Sequence, residues 1–437
     1  LKEKRMLIYE RDGVEAHHGE TREILRSLPD RSVHVVVTSP PYYGLRDYEI
    51  EPSIWGGDPL CAHRWDGDST SFFCAECRAW RGLLGLEPTP DLYVEHLIEV
   101  FREIRRVLRD DGTLWLNLGD CYNAAGRTGY GTQVGAKQGT NRASALGLDS
   151  ARAYAPDLKP KDLIGIPWRV AFALQDDGWY LRRDLVWEKP NAMPESVKDR
   201  PSTVHEYIFI LSKGERYYYD GYPIREPLAE GSIARIKEKS FSIQSGGSKD
   251  YDRSQGGHPR STRRAIENFR DALEEKGLEI GRNSRSVWSI PTEPEPAAHF
   301  AVFPREIPRR AIAAGSSPYV CAACGAPYRR VTDELKAKGS TSKTVGRKRT
   351  EQTSGYTFPE MKGWAASCDC GAPVGKAVVL DPFAGSFTSG AVAVEGHRRF
   401  IGIDASKKNV REIGVPKMFG AAEGLLAETI EEIMEGF

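Results

Sequence analysis

The sequence predicts an α/β fold, a mostly parallel sheet with helices on both faces and inserts between them. Three observations carry this. Short β-branched runs such as residues 33–38 and 377–381 have the length and composition of buried strands. These runs alternate with segments of helical period, as crossover-connected parallel strands require. Seven of the eight cysteines fall in two clusters that lie outside the alternation.

The elements follow in order. Residues 33–38 read as a buried strand, stopped by Pro40-Pro41, which cannot continue a sheet interior. Leu92, Leu97, Val100, Ile104 and Leu108 keep helical spacing, so 91–108 is expected to be a helix closed by Asp110-Asp111-Gly112. Residues 113–119 are a strand, 161–177 a helix, and 180–187 and 207–211 strands. Residues 377–381 form a strand, followed by a glycine-bearing turn and a helix through Val394. A strand at 400–404 and a closing helix at 421–434 complete the series.

Composition sets the class. At 437 residues, 40% hydrophobic and 28% charged, the chain is ordinary for a globular protein and long enough for two or three domains. No run approaches the ~18 apolar residues of a membrane span, so no membrane association is expected. The first twenty residues are polar and predict no secretion leader. Lys plus Arg equals Asp plus Glu, 61 each. That disfavours a nonspecific polycation but is compatible with a basic cleft on a neutral body.

Four stretches break the alternation: 49–90, 124–158, 223–290 and 332–362. The second, rich in Gly, Thr, Ala, Asn and Arg, reads as a mobile loop. The third combines Gly/Ser runs with Arg225, Arg235, Lys237, Arg260, Arg263 and Arg264, among other bases and numerous acids.

Two motifs carry chemistry. Thr38-Ser39-Pro40-Pro41-Tyr42 follows a buried strand, where ligands of open α/β sheets bind. The amino group of a base has its lone pair delocalised into the ring. Acceptors that hold its hydrogens let the nitrogen become a nucleophile; Ser39 Oγ and the Pro40 carbonyl are such acceptors. Tyr42 offers a face on which an extruded base can stack. The bland alternative is an ordinary strand-to-loop turn. The second motif is Val378 to Gly390, VVLDPFAGSFTSG, followed by Arg398 to Asp404. An acid ends each strand and Gly385 lets a ligand approach the backbone, which is the logic of a nucleotide site. It is neither GxGxxG nor a Walker loop. A glycine-rich turn without a ligand is its alternative.

Taken together, the two motifs resemble the N4-cytosine/N6-adenine DNA methyltransferase family over most of the chain outside the inserts. The catalytic motif precedes the cofactor motif, the order of the family's β class. Residues 299–312 resemble the family segment before the cofactor strand, and 17–33 the segment before the catalytic strand, with Gly19-Glu20 where the family has Gly-Asp. Residues 185–195, LVWEKPNAMPE, resemble a later motif near the target base, although Trp187 can equally be a core residue.

The resemblance implies an S-adenosylmethionine (AdoMet)-dependent, Rossmann-like fold with zinc-knuckle inserts. It implies that Ser39, Pro40, Pro41 and Tyr42 hold the target base. Glu20, Phe303, Pro304, Asp381, Pro382, Phe383, Ala384, Gly385, Ser386 and Asp404 would form the AdoMet site, with Asp404 on the ribose. The partner implied is double-stranded DNA, in the cytoplasm of a prokaryote or a phage-infected cell and associated with the nucleoid; a cognate restriction endonuclease is left open. The domains expected are 1–222, catalytic, with a zinc insert at 49–90; 223–290, target recognition; and 291–437, AdoMet-binding, with a zinc insert at 318–375.

Ser39 points to N4-cytosine, because adenine enzymes of the family mostly carry an acid there. N6-adenine methylation is the alternative. A protein methyltransferase, or a non-enzymatic zinc-ribbon adaptor that binds nucleic acid, is a more distant one. No cysteine sits in the Pro-Cys motif of C5-cytosine methylation.

Cys61, His63, Cys74 and Cys77 form one set of four zinc-type ligands, and Cys321, Cys324, Cys368 and Cys370 another. Four protein ligands leave no open position, so both are expected to be structural zinc sites. Cys121 is left over and reads as an ordinary buried thiol.

Overall fold

The computed structural model describes residues 6–44, 50–65, 73–123, 155, 157–227, 230–231, 234, 282–294, 302–333 and 360–420. The expected loop at 124–158 and recognition insert at 223–290 lie mostly outside the described residues, and the helix at 421–434 lies wholly outside them.

The chain divides into two compact units. The first comprises Leu1–Asp220, Ser286–Pro327 and Cys370–Phe437. Its strands are β1 (Met6–Arg11), β2 (Val14–His18), β3 (Val33–Thr38), β4 (Ser53–Trp55), β5 (Trp80–Gly82), β6 (Leu108–Leu118), β7 (Tyr180–Glu188), β8 (His205–Ser212), β9 (Val287–Ser289) and β10 (Val320–Cys321). Its helices are α1 (Thr21–Ser27), α2 (Pro90–Val107), α3 (Ile166–Asp176), α4 (Glu306–Gly315), α5 (Thr388–Glu395) and α6 (Val415–Gly420). The second unit comprises Gly221–Arg285 and Tyr328–Asp369 and contains the hairpin of β11 (Arg329–Asp333) and β12 (Glu360–Ala365). There the Arg330 guanidinium lies 4.5 Å from the Trp364 ring centroid and 4.7 Å from that of Tyr222. Glu226 pairs with both Arg282 and Arg285. The first unit resumes with β13 (Val374–Gly375), β14 (Val378–Asp381) and β15 (Arg399–Asp404).

Nine strands form the main sheet, in the order β1-β2-β15-β14-β3-β6-β8-β7-β9. From β2 to β6 the neighbours are parallel. β8 then runs antiparallel to both β6 and β7. The parallel strands therefore point their carboxyl ends to one edge, and the antiparallel β8 begins at that same edge.

Side-chain alternation explains the two layers. On one face Val36, Leu114, Leu116, Leu118, Leu380 and Ile403 meet Ile24 and Leu25 of α1, Leu97, Phe101 and Ile104 of α2, and Val170 and Leu174 of α3. On the other face α4 lies against β3 and β6. There a Cβ on Gly315 would come within 2.8 Å of the Val35 and Thr113 side chains, so only glycine permits that approach.

Local signals set the ends of α2. Thr89 caps it by accepting from Leu92 N, Pro90 sits in its first turn, and Arg105 and Arg106 in its last. It stops at Val107. Asp110 to Gly112, read in the sequence as a helix stop, instead lie within β6 at an irregularity in its pairing with β3. α3 starts at Ile166 rather than 161, after Gly165 at φ +78° and with Pro167 in its first turn. The β1–β2 hairpin was not expected from sequence. β1 is partly exposed, and β2, though buried, carries Glu15, His17 and His18 where the central strands have an apolar run. No helix among the described residues is long and apolar enough to cross a membrane.

Candidate active site

Thr38, Asp381 and Asp404 end β3, β14 and β15, so the catalytic motif and the glycine turn start from adjacent strand ends. One hydrogen bond joins them. Thr38 Oγ1 donates to Asp381 Oδ1 at 2.7 Å, with both residues buried (0% and 1% exposed). Phe383 N and Ser389 Oγ also donate to the Asp381 carboxylate. Burial nonetheless pushes its pKa up to about 6. The Asp381 carboxylate thus ties the two motifs together.

Asp404 differs. Its Oδ1 accepts from Ser406 N at 2.8 Å and Asn409 Nδ2 at 3.2 Å, and its Oδ2 accepts from Gly385 N at 2.9 Å. The residue is only half-buried, and Oδ2 keeps a lone pair for a further donor. Burial pushes its pKa up to about 6. Gly385 has φ +52°, and a Cβ there would meet nothing within 4 Å, so the turn's backbone faces open space. Phe387 holds the turn from below, buried at φ +59° against Gly402 and Gly414. Ala384 N donates to Ile403 O, the Pro382 carbonyl accepts from Thr21 Oγ1, and Phe383 packs against the core. Ser386 Oγ lies 3.2 Å from Lys417 Nζ.

Glu20 is occupied locally. It caps α1 by accepting from Glu23 N and pairs with Arg22, whose guanidinium lies 3.7 Å from the Trp55 ring centroid. Phe303 and Pro304 precede α4, where the Pro304 carbonyl accepts from Ile307 N; Phe303 is half-buried.

The Ser39–Tyr42 turn sits on a polar network that sequence reading did not find. Ser39 Oγ lies 3.2 Å from the Tyr42 hydroxyl. That hydroxyl lies 2.7 Å from Glu206 Oε2 and 3.1 Å from Asn117 Oδ1. Asn117 Nδ2 donates to Glu206 Oε2 and to the Tyr207 carbonyl, both at 3.1 Å. Lys189 Nζ pairs with Glu206 Oε1. Burial, with Glu206 next, holds the Tyr42 phenol well above its ordinary pKa. The Tyr42 ring lies against Gly119, where a Cβ would come within 2.6 Å of it. Tyr93 donates to the Pro41 carbonyl at 2.7 Å. Trp187, left open in the sequence, is a core residue whose indole donates to the Ile290 carbonyl at 2.8 Å.

Both cysteine clusters assemble. In each, the four ligand atoms lie within 4.8 Å of one another. Cys61 and Cys74 sulfurs are 3.8 Å apart, and Cys77 Sγ is 3.4 Å from His63 Nδ1. Zn–S bonds of about 2.3 Å at tetrahedral angles place two sulfurs about 3.8 Å apart, so the donors fit zinc.

The first cluster leads into β5, where Trp80 and Trp55 sandwich His96 of α2. His96 pairs with the buried Glu87, which accepts from Gly85 N, and the Gly85 carbonyl accepts from Gly44 N just after the catalytic turn. The second cluster docks at the opposite end of the sheet. Arg109 donates to the Cys324 carbonyl, and His34, near the start of β3, bridges the Gly325 carbonyl and Val378 N. Burial, followed by Arg109, lowers the His34 pKa to about 4, which keeps the bridge neutral. Burial, and then Asp120, push the Cys121 thiol up to about 12, away from the thiolate form.

Comparison with known proteins settles the family. The family model described as DNA methylase, for N6 and N4 methylation, matches residues 33–322 and 370–414. The chain belongs to the N6/N4 DNA methylase family. The methylase is 39% identical over 301 residues to Type II methyltransferase M.SmaI of Serratia marcescens, covering 69% of this chain and 74% of that one. Over 309 residues it is 38% identical to M.Cfr9I of Citrobacter freundii, covering 71% and 75%. DNA adenine methyltransferase YhdJ of Escherichia coli strain K12 is 48% identical over 50 residues, 10% of this chain and 17% of that one. Among solved structures, PvuII DNA methyltransferase (cytosine-N4-specific) aligns over 100% of this chain and 94% of its own at 14% identity, with a TM-score of 0.47. The methylase model's match skips 323–369, most of which belongs to the second compact unit.

Sequence reading missed Thr38 as a donor to Asp381, and Asn117 and Glu206 altogether. The available signal for Glu206 was an acid opening an otherwise apolar strand, HEYIFILS.

Proposed function

We propose that the methylase transfers a methyl group from AdoMet to the exocyclic N4 of cytosine in double-stranded DNA, acting on a flipped-out base. The observation that carries this is the Ser39 hydroxyl, a neutral acceptor at the end of β3, beside the glycine turn that follows β14. Gly385 and Asp404 fit the cofactor: one leaves its backbone approachable, and the other retains an acceptor for a ribose hydroxyl. AdoMet supplies the methyl group as an electrophilic sulfonium. Ser39 Oγ and the Pro40 carbonyl accept the amino hydrogens and hold the nitrogen lone pair toward the methyl. Positioning and electrostatics provide the acceleration, with no covalent enzyme intermediate.

Phe303 and Pro304 are assigned to the methionine end of the cofactor, Pro382, Phe383, Ala384 and Ser386 to its remaining wall, and Asp381 to holding the turn. Glu20, already paired with Arg22, has its adenine contact assigned on the family resemblance alone. Residues 223–290 are assigned to target recognition for their arginines, which read guanine edges and phosphates. The two cysteine clusters are assigned one structural zinc each. The relatives' names, Type II methyltransferases of bacteria, support a place in restriction-modification; the bacterial cytoplasm and the nucleoid are assigned on the family resemblance.

A second reading, N6-adenine, is favoured by the short match to a DNA adenine methyltransferase. The test is to methylate unmodified DNA with the purified protein, digest it to nucleosides and identify the product by mass spectrometry. N4-methylcytosine is expected. N6-methyladenine alone would replace the first reading by the second, and C5-methylcytosine would overturn both.

A further inference from the structure

The Tyr42 hydroxyl has one proton and two neighbours, Glu206 Oε2 at 2.7 Å and Asn117 Oδ1 at 3.1 Å, that can only accept. Its proton is therefore committed away from Ser39, and toward Ser39 it presents a lone pair. Ser39 Oγ, 3.2 Å away, must donate its own proton inward to Tyr42. The Ser39 oxygen is then left with lone pairs only on its other side. We propose that Glu206 is a positioning residue that sets the direction of this hydrogen-bond chain and so fixes Ser39 as an acceptor for the amino group of the target base.

The topology explains how Glu206 reaches this position. β8 runs antiparallel to β6, so its start lies beside the carboxyl end of β6 and hence near that of β3. Lys189, just past β7, lies across from it because β7 and β8 are paired at Glu188 and His205. Lys189 is a pure donor on Glu206 Oε1, which keeps the carboxylate in place with Oε2 aimed at Tyr42 and Asn117. Among the described residues, the side chains bonded to Glu206 are thus Lys189 after β7, Tyr42 after β3 and Asn117 of β6.

The direction matters for the reaction. The amino nitrogen contributes the electron pair that forms the new N–C bond, the C–S bond breaks, and the sulfur keeps that bond's electron pair. The nitrogen, now cationic, then loses one proton to water. Both stages need an acceptor at the amino hydrogens. A serine turned the other way would present its own proton to the nitrogen lone pair and oppose the attack.

This inference rests on the amino-methyltransferase reading and has a test of its own. In Glu206→Gln the amide oxygen takes Lys189, which can only donate, and the amide NH2 faces Tyr42. That NH2 also meets Asn117 Nδ2, donor against donor, so the Asn117 amide turns over and offers Tyr42 its NH2 as well; facing only donors, Tyr42 donates to Ser39 and the chain reverses. In Tyr42→Phe the chain is cut, and Ser39 is free to turn either way.

Single-turnover methyl transfer from labelled AdoMet to unmethylated, amplified genomic DNA should fall about 100-fold in Glu206→Gln and about 10-fold in Tyr42→Phe. The double variant should match Tyr42→Phe, because Glu206 acts only through the phenol. AdoMet affinity should be unchanged throughout, and Glu206→Asp, which still only accepts, should restore most of the rate. Additive losses in the double variant, or a Glu206→Asp variant slower than Tyr42→Phe, would overturn the proposal even if Glu206→Gln failed to fold. A parent enzyme that methylates no amino group on DNA would instead overturn the reading beneath it.

Discussion

Replacing Thr38 with valine preserves shape and removes one donor from a buried carboxylate. The hydrogen bond to Asp381 measures 2.7 Å, and neither residue sees solvent. A bond to a charged group contributes about 1.5–3 kcal/mol, and one to a neutral group about 1 kcal/mol. Burial already raises the Asp381 pKa to about 6 in the folded protein, against about 3.9 in an unfolded chain. At about 1.4 kcal/mol per pK unit, the full shift corresponds to about 3 kcal/mol, of which about 2–2.5 kcal/mol separates pH 8 from pH 4. The sign follows from linkage: a folded pKa above the unfolded one gives stability that is fully present below about pH 4 and lost as pH rises through about 6. Removing the Thr38 donor raises the folded pKa further and steepens that loss. Thr38→Val should therefore cost about 2–3 kcal/mol at pH 8 but only about 1 kcal/mol at pH 5, where Asp381 is mostly protonated. Asp404 shares the same direction but cancels in the difference between variant and parent. Urea unfolding at the two pH values measures that difference, with Thr38→Ser as the control that keeps the donor. An equal loss at pH 5 and pH 8 would refute the coupling of Thr38 to an ionised Asp381.

Other expectations concern metal and cofactor. Elemental analysis of purified protein should find two zinc ions per chain, and none would remove the structural-zinc assignment. Cys324→Ser should lose one zinc equivalent and lower the unfolding midpoint while sparing methyl transfer per folded molecule, because its cluster is tied to the sheet end remote from Ser39. Cys77→Ser should also lose one equivalent but slow methyl transfer about 10-fold or more, because its insert supports the turn through Gly85 and Gly44; equal effects of the two variants would contradict this division. Asp404→Ala should weaken AdoMet binding about 10-fold by calorimetry, from loss of a charged acceptor worth about 1.5 kcal/mol or more. Unchanged affinity would move the cofactor site elsewhere.

The central fold was legible because its strands are short β-branched runs between Pro and Gly, and the cysteine clusters because ligand spacing is local. Residues whose roles depend on distant partners were not. Asp381 ends a strand before a glycine turn, like many ligand-facing acids, and its contact with Thr38, 343 positions away, is written in no local pattern. Glu206 meets Tyr42 across 164 positions, and no local pattern reports such a pairing. β1 and β2 escaped notice because β1 is partly exposed without clean alternation and β2, though buried, carries Glu15, His17 and His18.

The pairing of β3 with β14 has a consequence for how the protein is made. Val35 and Val36 find their neighbours Val379 and Leu380 only after more than three hundred intervening residues have been synthesised. At ribosomal speeds of about 5–20 residues per second, the wait is roughly 20–70 seconds. Throughout it, one side of a strand of four valines carries unmatched backbone donors and acceptors, the kind of edge that recruits other chains. Soluble yield should therefore depend on translation rate and chaperone supply more than on the stability of the finished fold. A fragment ending before residue 378 should aggregate, and a separately supplied C-terminal segment carrying β14 and β15 should rescue it.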